Sequence, residues 1–158
     1  MKQPVKLPRP ELFRLLIREI RLFIAGAILF NQGVADQLGV NATDHQLLNL
    51  LDLLGSATPG RLAQLTGLTT GGITVVLDRL EAAKYLRRER NPKDRRSWII
   101  RPNPARMRNV FALYKPVDEG MDRLAGQYSN EELGVVLDFF AQANRARAAM
   151  RSETPPAG

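Results

Sequence analysis

The sequence predicts a mainly α-helical protein with one small β-hairpin, and three observations lead to this prediction. Apolar residues recur at helical spacing over most of the 158 residues. The pattern changes to strand-like alternation once, between residues 85 and 101. Proline, glycine and N-capping residues stand at the predicted element boundaries. The predicted order is four helices, a hairpin and two more helices, between an extended basic arm (residues 1–9) and a disordered tail (residues 151–158).

The first predicted helix begins at Pro10 and ends near Leu38, where Gly39 can adopt a left-handed cap. Its first half carries a polar stripe of arginines, whereas residues 22–30 are apolar on every side. A helix of that kind needs neighbours on every side. In so short a chain, we expect a second copy of the protein to supply some of them.

The second and third predicted helices are short. Thr43 and Gln46 have capping-box spacing at the start of the second helix, which Gly55 ends. Thr58 and Pro59 form an N-cap and first helical position for the third helix, which ends at Gly67.

The fourth predicted helix begins at Thr69 or Thr70, and its two faces differ. Apolar residues at positions 73, 76, 77 and 80 form a core face. The opposite face is short and mostly polar, with Thr70, Gly71, Thr74, Val75 and Asp78. Such a narrow outward face suits entry into a DNA major groove, which is about 12 Å wide. Gly71 and Gly72 would bring the helix backbone close to the DNA.

The hairpin that follows carries most of the net positive charge. Its two strands flank the turn "NPKD", and the segment from Lys84 to Arg101 has eight basic residues against two acidic ones. The whole chain has a formal net charge of +7 and a pI near 10.4, which favours a polyanionic partner, nucleic acid before a membrane surface. The excess charge is concentrated on one element.

Two long helices complete the chain. Asn103 and Pro104 open the fifth, whose apolar residues form a narrow seam interrupted by Pro116, where we expect a kink. Ser129 and Glu132 open the sixth as a capping box. The sixth helix is expected to bury four apolar side chains: Leu133, Val136, Leu137 and Phe140.

Two short helices joined by a glycine turn and followed by a hairpin predict a winged helix-turn-helix over residues 43–102. Residues 10–40 and 104–150 are predicted to form a helical dimerisation lobe, so that residues 10–150 make one domain. An ordinary amphipathic surface helix remains the alternative for the fourth helix taken alone. The adjacent basic hairpin favours the DNA-docking interpretation.

Several functional classes are excluded or disfavoured. The chain has no cysteine and one histidine, so we expect no disulfide, no metal centre and no cofactor. An enzyme is disfavoured because no nucleophile–base pair and no paired carboxylates stand out in the sequence. The longest apolar run near the N-terminus is far shorter than the roughly 20 residues of a membrane span, and its flank is unlike a signal peptide. The expected compartment is the cytoplasm, with no membrane partner.

The segment "LAQLTGLTTGGITVVLDRLEAAKYLRRERNPKDRRSWIIRPNP" resembles the winged-helix core of the MarR family of bacterial transcriptional regulators. Leu62 with Ala63, the run "DRLE" at residues 78–81, and Asp94 with Arg96 in the wing carry the resemblance. It extends over about residues 10–150. Lys84 stands where relatives usually have a glycine, and a left-handed lysine is strained by about 1 kcal/mol.

The resemblance implies a homodimer that joins through its first, fifth and sixth helices and reads an inverted repeat in double-stranded DNA. It places Arg96 in the minor groove and Arg79 on a phosphate. Asp94 would brace the wing by an ion pair with Arg88 or Arg95. The residues expected at the DNA are Thr69, Thr70, Gly71, Thr74, Val75, Arg79, Lys93, Asp94, Arg95 and Arg96.

The resemblance also implies a small aromatic or anionic effector that binds between the dimerisation lobe and the winged helix. Arg14, Arg18 and His45 are weak candidates for that site from their positions alone, and His45 is more simply a half-buried surface residue. A ligand-responsive repressor is the main hypothesis. The alternative is a winged-helix module for protein interaction or non-specific DNA architecture.

Overall fold

The computed structural model describes residues 6–92 and 94–153, without the side chains of residue 95 and residues 151–153. The predicted order of elements is confirmed. The helices and strands are α1 (Arg9–Leu38), α2 (Ala42–Leu54), α3 (Pro59–Thr66), α4 (Thr70–Ala82), β1 (Leu86–Asn91), β2 (Asp94–Pro102), α5 (Pro104–Ala125) and α6 (Asn130–Glu153).

Most predicted helix ends are confirmed by their hydrogen bonds. Gly39 and Gly67 close α1 and α3 in the left-handed conformation. The hydroxyl of Thr58 accepts a hydrogen bond from the Arg61 amide at 3.2 Å. Ser129 and Glu132 form the predicted reciprocal capping box, at 2.8 and 3.2 Å. α5 continues through Pro116 as one helix.

The predicted start of α2 is wrong. Asn41, not Thr43, is the N-cap, and its side-chain oxygen accepts a hydrogen bond from the Asp44 amide at 2.8 Å. The chain leaves the left-handed turn at Gly39 and is extended at Asn41, so the helix begins two residues earlier than the capping-box pattern indicates. Asp44 therefore lies in the first turn of α2, where it is buried.

The core lies in the middle of the chain. α2, α3, α4, the hairpin and the start of α5 enclose it with buried apolar side chains, among them Leu47, Leu51, Leu62, Ile73, Leu77, Leu80, Ile100 and Met107. Ala57, between α2 and α3, exchanges two backbone hydrogen bonds with Ile100 of β2, at 3.1 and 2.8 Å. The hairpin is therefore joined to the helices by backbone pairing as well as by side chains.

Lys84 has the left-handed conformation expected from the resemblance, with φ of 63°. Its amide donates to the Glu81 carbonyl at 2.9 Å, and its own carbonyl accepts from the side chain of Asn103 at 2.9 Å. Asn103 also caps α5 through the Ala105 amide at 3.1 Å. The end of α4 and the start of α5 are thus held together despite the strained backbone of Lys84.

The predicted burial of the sixth helix is wrong within one chain. Leu133, Val136, Leu137 and Phe140 are all exposed, and among the described side chains of α6 only Ala141 is partly covered. Most of the apolar stretch at residues 22–30 of α1 is exposed as well. The reason is that α6 and much of α1 extend beyond the core, so most of their apolar side chains are left uncovered by the described part of the same chain.

The tail prediction is wrong for residues 151–153, which continue α6. The sequence of residues 151–153 contains no proline or glycine that would end the helix earlier. The remaining tail, and residues 1–5 of the predicted arm, lie outside the described residues. Over the described part of the chain, every helix falls short of the length and apolarity that crossing a membrane requires.

Candidate nucleic-acid interface

The outward face of α4 is the first part of the candidate interface. Thr70, Gly71, Thr74 and Val75 are all exposed, as the sequence predicts. Thr69 is the N-cap, and its hydroxyl accepts a hydrogen bond from the Gly72 amide at 3.1 Å. The Thr74 hydroxyl donates to the Thr70 carbonyl at 2.9 Å, which leaves its oxygen lone pairs directed to solvent. The face is therefore narrow, and its acceptors are open.

The two glycines of α4 differ in what surrounds them. A Cβ at Gly71 would meet nothing within 4 Å, so the absent side chain leaves open space at the surface. A Cβ at Gly72 would lie 3.3 Å from the Thr69 hydroxyl oxygen. The missing side chain of Gly72 therefore leaves room for the capping hydrogen bond with Thr69 at the start of α4. Only Gly71 fits the expectation of a close approach to DNA.

The "DRLE" run connects α4 to two other elements. Arg79 donates two hydrogen bonds to the buried carboxylate of Asp44 in α2, at 2.6 and 2.5 Å. These bonds raise the pKa of Arg79 above its ordinary value. Leu80 lies in the core. The side chain of Arg79 is 47% exposed, so its remaining N–H groups are accessible to solvent.

Asp78 and Glu81 bind the first strand of the hairpin through Arg88. The guanidinium of Arg88 donates to Asp78 at 2.6 Å and to Glu81 at 2.8 Å, and the Arg88 amide donates to Glu81 at 3.1 Å. This cluster sets the position of the wing relative to α4. The sequence predicted neither partner, because the "DRLE" run and Arg88 are joined only once the chain turns at Lys84.

The predicted ion pair between Asp94 and Arg88 is wrong, since Arg88 is held by Asp78 and Glu81. Asp94 instead accepts a hydrogen bond from the backbone amide of Arg96 at 3.0 Å. Its carbonyl accepts from the Ser97 hydroxyl at 3.0 Å. Asp94 thus shapes the backbone of the turn. The side chain of Arg95, the other suggested partner, lies outside the described residues, as does Lys93.

The hairpin arginines are not equivalent. Arg87 and Arg101 both bind Glu89, at 2.7 Å each, and these hydrogen bonds lower the pKa of Glu89. Arg90 lies over the ring of Trp98 at 4.0 Å. The guanidinium of Arg96, in contrast, is exposed and makes no hydrogen bond or ion pair with any described residue. The turn of the wing therefore presents an exposed cation on the arginine that the resemblance singles out.

A cavity of about 630 Å³ lies between α1, α2 and α5. Tyr114 of α5 lines it and joins the three helices. Its hydroxyl donates to Asn31 of α1 at 2.6 Å, accepts from Asn49 of α2 at 3.0 Å, and lies 3.1 Å from the imidazole Nε2 of His45. Of these residues, only His45 was among the sequence-based candidates. Tyr114 was missed, although it is the one polar side chain in the otherwise apolar seam of α5.

The three weak effector candidates do not meet at this cavity. His45 is 2% exposed, not half-buried, and packs parallel to Tyr114 behind the cavity wall. Burial lowers the pKa of His45. It is buried because the corrected start of α2 places it on the core side of the first turn. Arg14 and Arg18 line a separate groove on the surface of α1.

The fold and this surface define a winged helix-turn-helix DNA-binding protein. Residues 38–97 match the model of the MarR family. The chain is 36% identical over 135 residues to an uncharacterised helix-turn-helix transcriptional regulator, YcgE, of Bacillus subtilis, with 85% of this chain and 88% of that protein covered. The chain belongs to the MarR family of transcriptional regulators, which are DNA-binding proteins and not enzymes, as the sequence predicts.

Solved structures of related fold agree. The structure of NadR in complex with 4-hydroxyphenylacetate is similar with a TM-score of 0.59 and 18% identity, covering 90% of this chain and 97% of that chain. A mutant MarR from E. coli in complex with operator DNA is similar with a TM-score of 0.53 and 17% identity, covering 87% and 99%. At these identities the similarity establishes the fold.

Proposed function

We propose that this regulator is a homodimeric repressor that binds an inverted repeat in double-stranded DNA and is released by a small ligand. The observation that carries the proposal is the Arg88 cluster. It ties the open face of α4 to a wing whose Arg96 guanidinium is exposed and has no partner among the described residues. Helix and wing can therefore dock on DNA as one unit.

In the docked state, α4 lies in the major groove and the wing reaches the adjacent minor groove. The hydroxyls of Thr69, Thr70 and Thr74 contact base edges or phosphates, Val75 offers a methyl contact to thymine, and Gly71 allows the backbone to approach. Arg96 enters the minor groove with Lys93 and Arg95 beside it, because the negative potential there attracts arginine. Arg79 bonds a phosphate with the N–H groups that Asp44 leaves open.

The exposed apolar surface supports the homodimer. Among the described residues, twenty of the twenty-four exposed large apolar side chains lie in α1, α5 and α6. Exposed apolar surface of that extent marks an interface with another molecule. A second copy of the chain offers the same three helices, so the two sets can cover each other about a two-fold axis. Two winged helices would then face half-sites about one helical turn apart.

The cavity supports control by a ligand. It has the volume typical of small-molecule sites, and the fold neighbour NadR is seen with an aromatic acid. α2 connects the cavity to the DNA-facing surface, since Asn49 lines the cavity while Asp44, one turn earlier, holds Arg79 of α4. A ligand that displaces Asn49 or Tyr114 would therefore shift α2 and with it the recognition helix.

The salt dependence of DNA binding tests the docking geometry. Arg96→Ala should weaken binding to all duplexes and flatten the slope of log affinity against log salt, because one cation leaves the DNA. Thr74→Ala should instead change the sequence preference. Arg87→Ala is the matched control, because Arg87 is already paired with Glu89. An unchanged slope in the Arg96→Ala protein would mean that the wing does not reach the DNA.

A further inference from the structure

We propose that the cavity between α1, α2 and α5 selects a lipophilic cation, such as an aromatic amine or an arylphosphonium, and disfavours anions. The assignment of the cavity as the regulatory site rests on the proposed function. The charge preference rests on the residues that line the cavity. It keeps the aromatic character of the effector that the family resemblance implies and replaces its negative charge by a positive one.

Four aromatic side chains form part of the cavity wall. Phe23 and Phe30 of α1, Phe111 and Tyr114 of α5 all line it, and the Phe30 ring meets the Tyr114 ring edge-on at 5.3 Å. Aromatic faces carry partial negative charge and attract cations, most strongly when water is excluded. The small residues Gly26 and Ala27 leave the space between these rings open. The cavity can thus surround an apolar ion.

The charged residues at the cavity are all acidic. Asp52 of α2 and Asp118 of α5 line it, whereas none of the described lining residues is lysine, arginine or histidine. Within the described part of the chain, neither carboxylate has an ion-pair partner. Burial, and to a smaller extent the charge of Asp118, raises the pKa of the Tyr114 hydroxyl. Both carboxylates therefore remain available to balance a positive ligand.

An anion would be poorly held in the same place. Two donors of the wall are already used, since the Tyr114 hydroxyl donates to Asn31 and the Asn49 amide donates to Tyr114. A buried anion would find few free donors and would lie near two like charges. The net charge of +7 acts in the opposite sense, because it draws anions to the protein surface at large. A preference for cations can only come from the local site.

Two pairs of ions matched in size test the proposal: tetraphenylphosphonium against tetraphenylborate, and 2-phenylethylammonium against 3-phenylpropanoate. Each is titrated calorimetrically into the full-length protein without DNA, in sodium buffer. In at least one pair, the cation should bind about tenfold or more tightly than its anion. Equal affinities, tighter anion binding in both pairs, or no binding of any of the four ions would overturn the proposal.

Charge-neutralising variants locate the preference. The double variant Asp52→Asn with Asp118→Asn keeps the side-chain shapes and should lose most of the cation preference, roughly tenfold. The matched control is Asp122→Asn, one turn further along α5 and not in the cavity wall, which should retain the preference. If the control loses as much as the double variant, the preference is a property of overall charge and the proposal fails.

DNA binding is measured separately, so that the two proposals can fail independently. If the protein binds specific DNA but prefers anions, the proposed cation preference is wrong and the proposed function is unaffected. A protein that binds the cation but no specific DNA supports the site and contradicts the proposed function. Weaker DNA binding in the presence of the phosphonium, with no such effect in the double variant, would connect the cavity to DNA release.

Discussion

Tyr114 and His45 form the polar centre of the packing between α1, α2 and α5. The hydroxyl of Tyr114 has partners on two helices besides its own, and the imidazole of His45 lies 3.1 Å from it in a buried position. Because the hydroxyl proton is directed to Asn31, a neutral imidazole protonated on Nε2 completes the network. The charged imidazolium is disfavoured by burial, which is the cause of the lowered pKa of His45.

The free energy of unfolding should therefore fall as the pH is lowered from about 7 to about 5.5. The unfolded state takes up a proton on His45 near the ordinary histidine pKa of about 6.5, while the folded state resists protonation until a lower pH. The stabilising contribution of the neutral His45 imidazole is fully present above the unfolded pKa and is lost as the pH falls through the folded pKa. His45→Gln should show a weaker pH dependence in urea unfolding over this range.

The chain has a single histidine, so the measurement isolates one group. The carboxyl groups of Glu89 and Glu131 have lowered pKa values and titrate below this range. Tyr114→Phe is the matched control, because it removes the hydroxyl contact and keeps the titrating imidazole. An equal pH dependence in His45→Gln and the unchanged protein would show that His45 is not the group responsible.

Among the elements, α4 is connected to two neighbours through its "DRLE" run. Arg79 pairs with Asp44 of α2, and both Asp78 and Glu81 pair with Arg88 of β1. The Arg88 side chain is mostly covered, whereas the neighbouring Arg87 is exposed and pairs only with Glu89 among the described residues. The two adjacent arginines therefore differ in what they stabilise.

Arg88→Ala should lower the free energy of unfolding by about 1–2 kcal/mol, because it removes charge-assisted hydrogen bonds and leaves Glu81 partly unsatisfied. Arg87→Ala should change it by less than about 0.5 kcal/mol, as is usual for an exposed pair. Chemical denaturation of both variants measures the difference. Equal destabilisation by the two substitutions would contradict the role of Arg88 as the link between α4 and the wing.

Element boundaries were largely predictable because they depend on neighbours in sequence. Thr58 with Pro59 and Asn103 with Pro104 mark helix starts by local chemistry, and the structure has both. The start of α2 was missed because Asn41 becomes a cap only after the left-handed turn at Gly39 is known. The pairing of Arg79 with Asp44, 35 residues apart, was not predictable from either residue's surroundings in the chain.

Across the molecule, the core is buried by side chains of the same chain, whereas α1, α5 and α6 leave many apolar side chains exposed. The sequence showed that α1, α5 and α6 carry apolar seams, and it indicated a second chain as the neighbour of α1. The periodic pattern of α6 predicted burial, and the family resemblance placed α6 in a dimer contact. A periodic pattern by itself shows that a face will be buried without showing what covers it. The partner of an apolar face is a property of the fold and of the assembly.

Leu29→Glu combined with Leu137→Glu should convert the proposed dimer to a monomer. These side chains are 74% and 71% exposed in one chain, and each glutamate would bury a charge in the proposed interface. Leu54→Glu, on an exposed site of α2 outside those helices, is the control and should remain dimeric. Sedimentation at micromolar concentration distinguishes the states. A monomeric unchanged protein would rule out the dimeric arrangement.

A competition titration tests whether the protein binds DNA sequence-specifically. A duplex with the inverted repeat that flanks the gene, or one selected from a random pool, competes with a scrambled duplex of equal composition at one salt concentration. The proposed regulator should bind the specific duplex roughly 10³-fold or more tightly. Similar affinity for both duplexes would contradict it and favour a non-specific architectural protein.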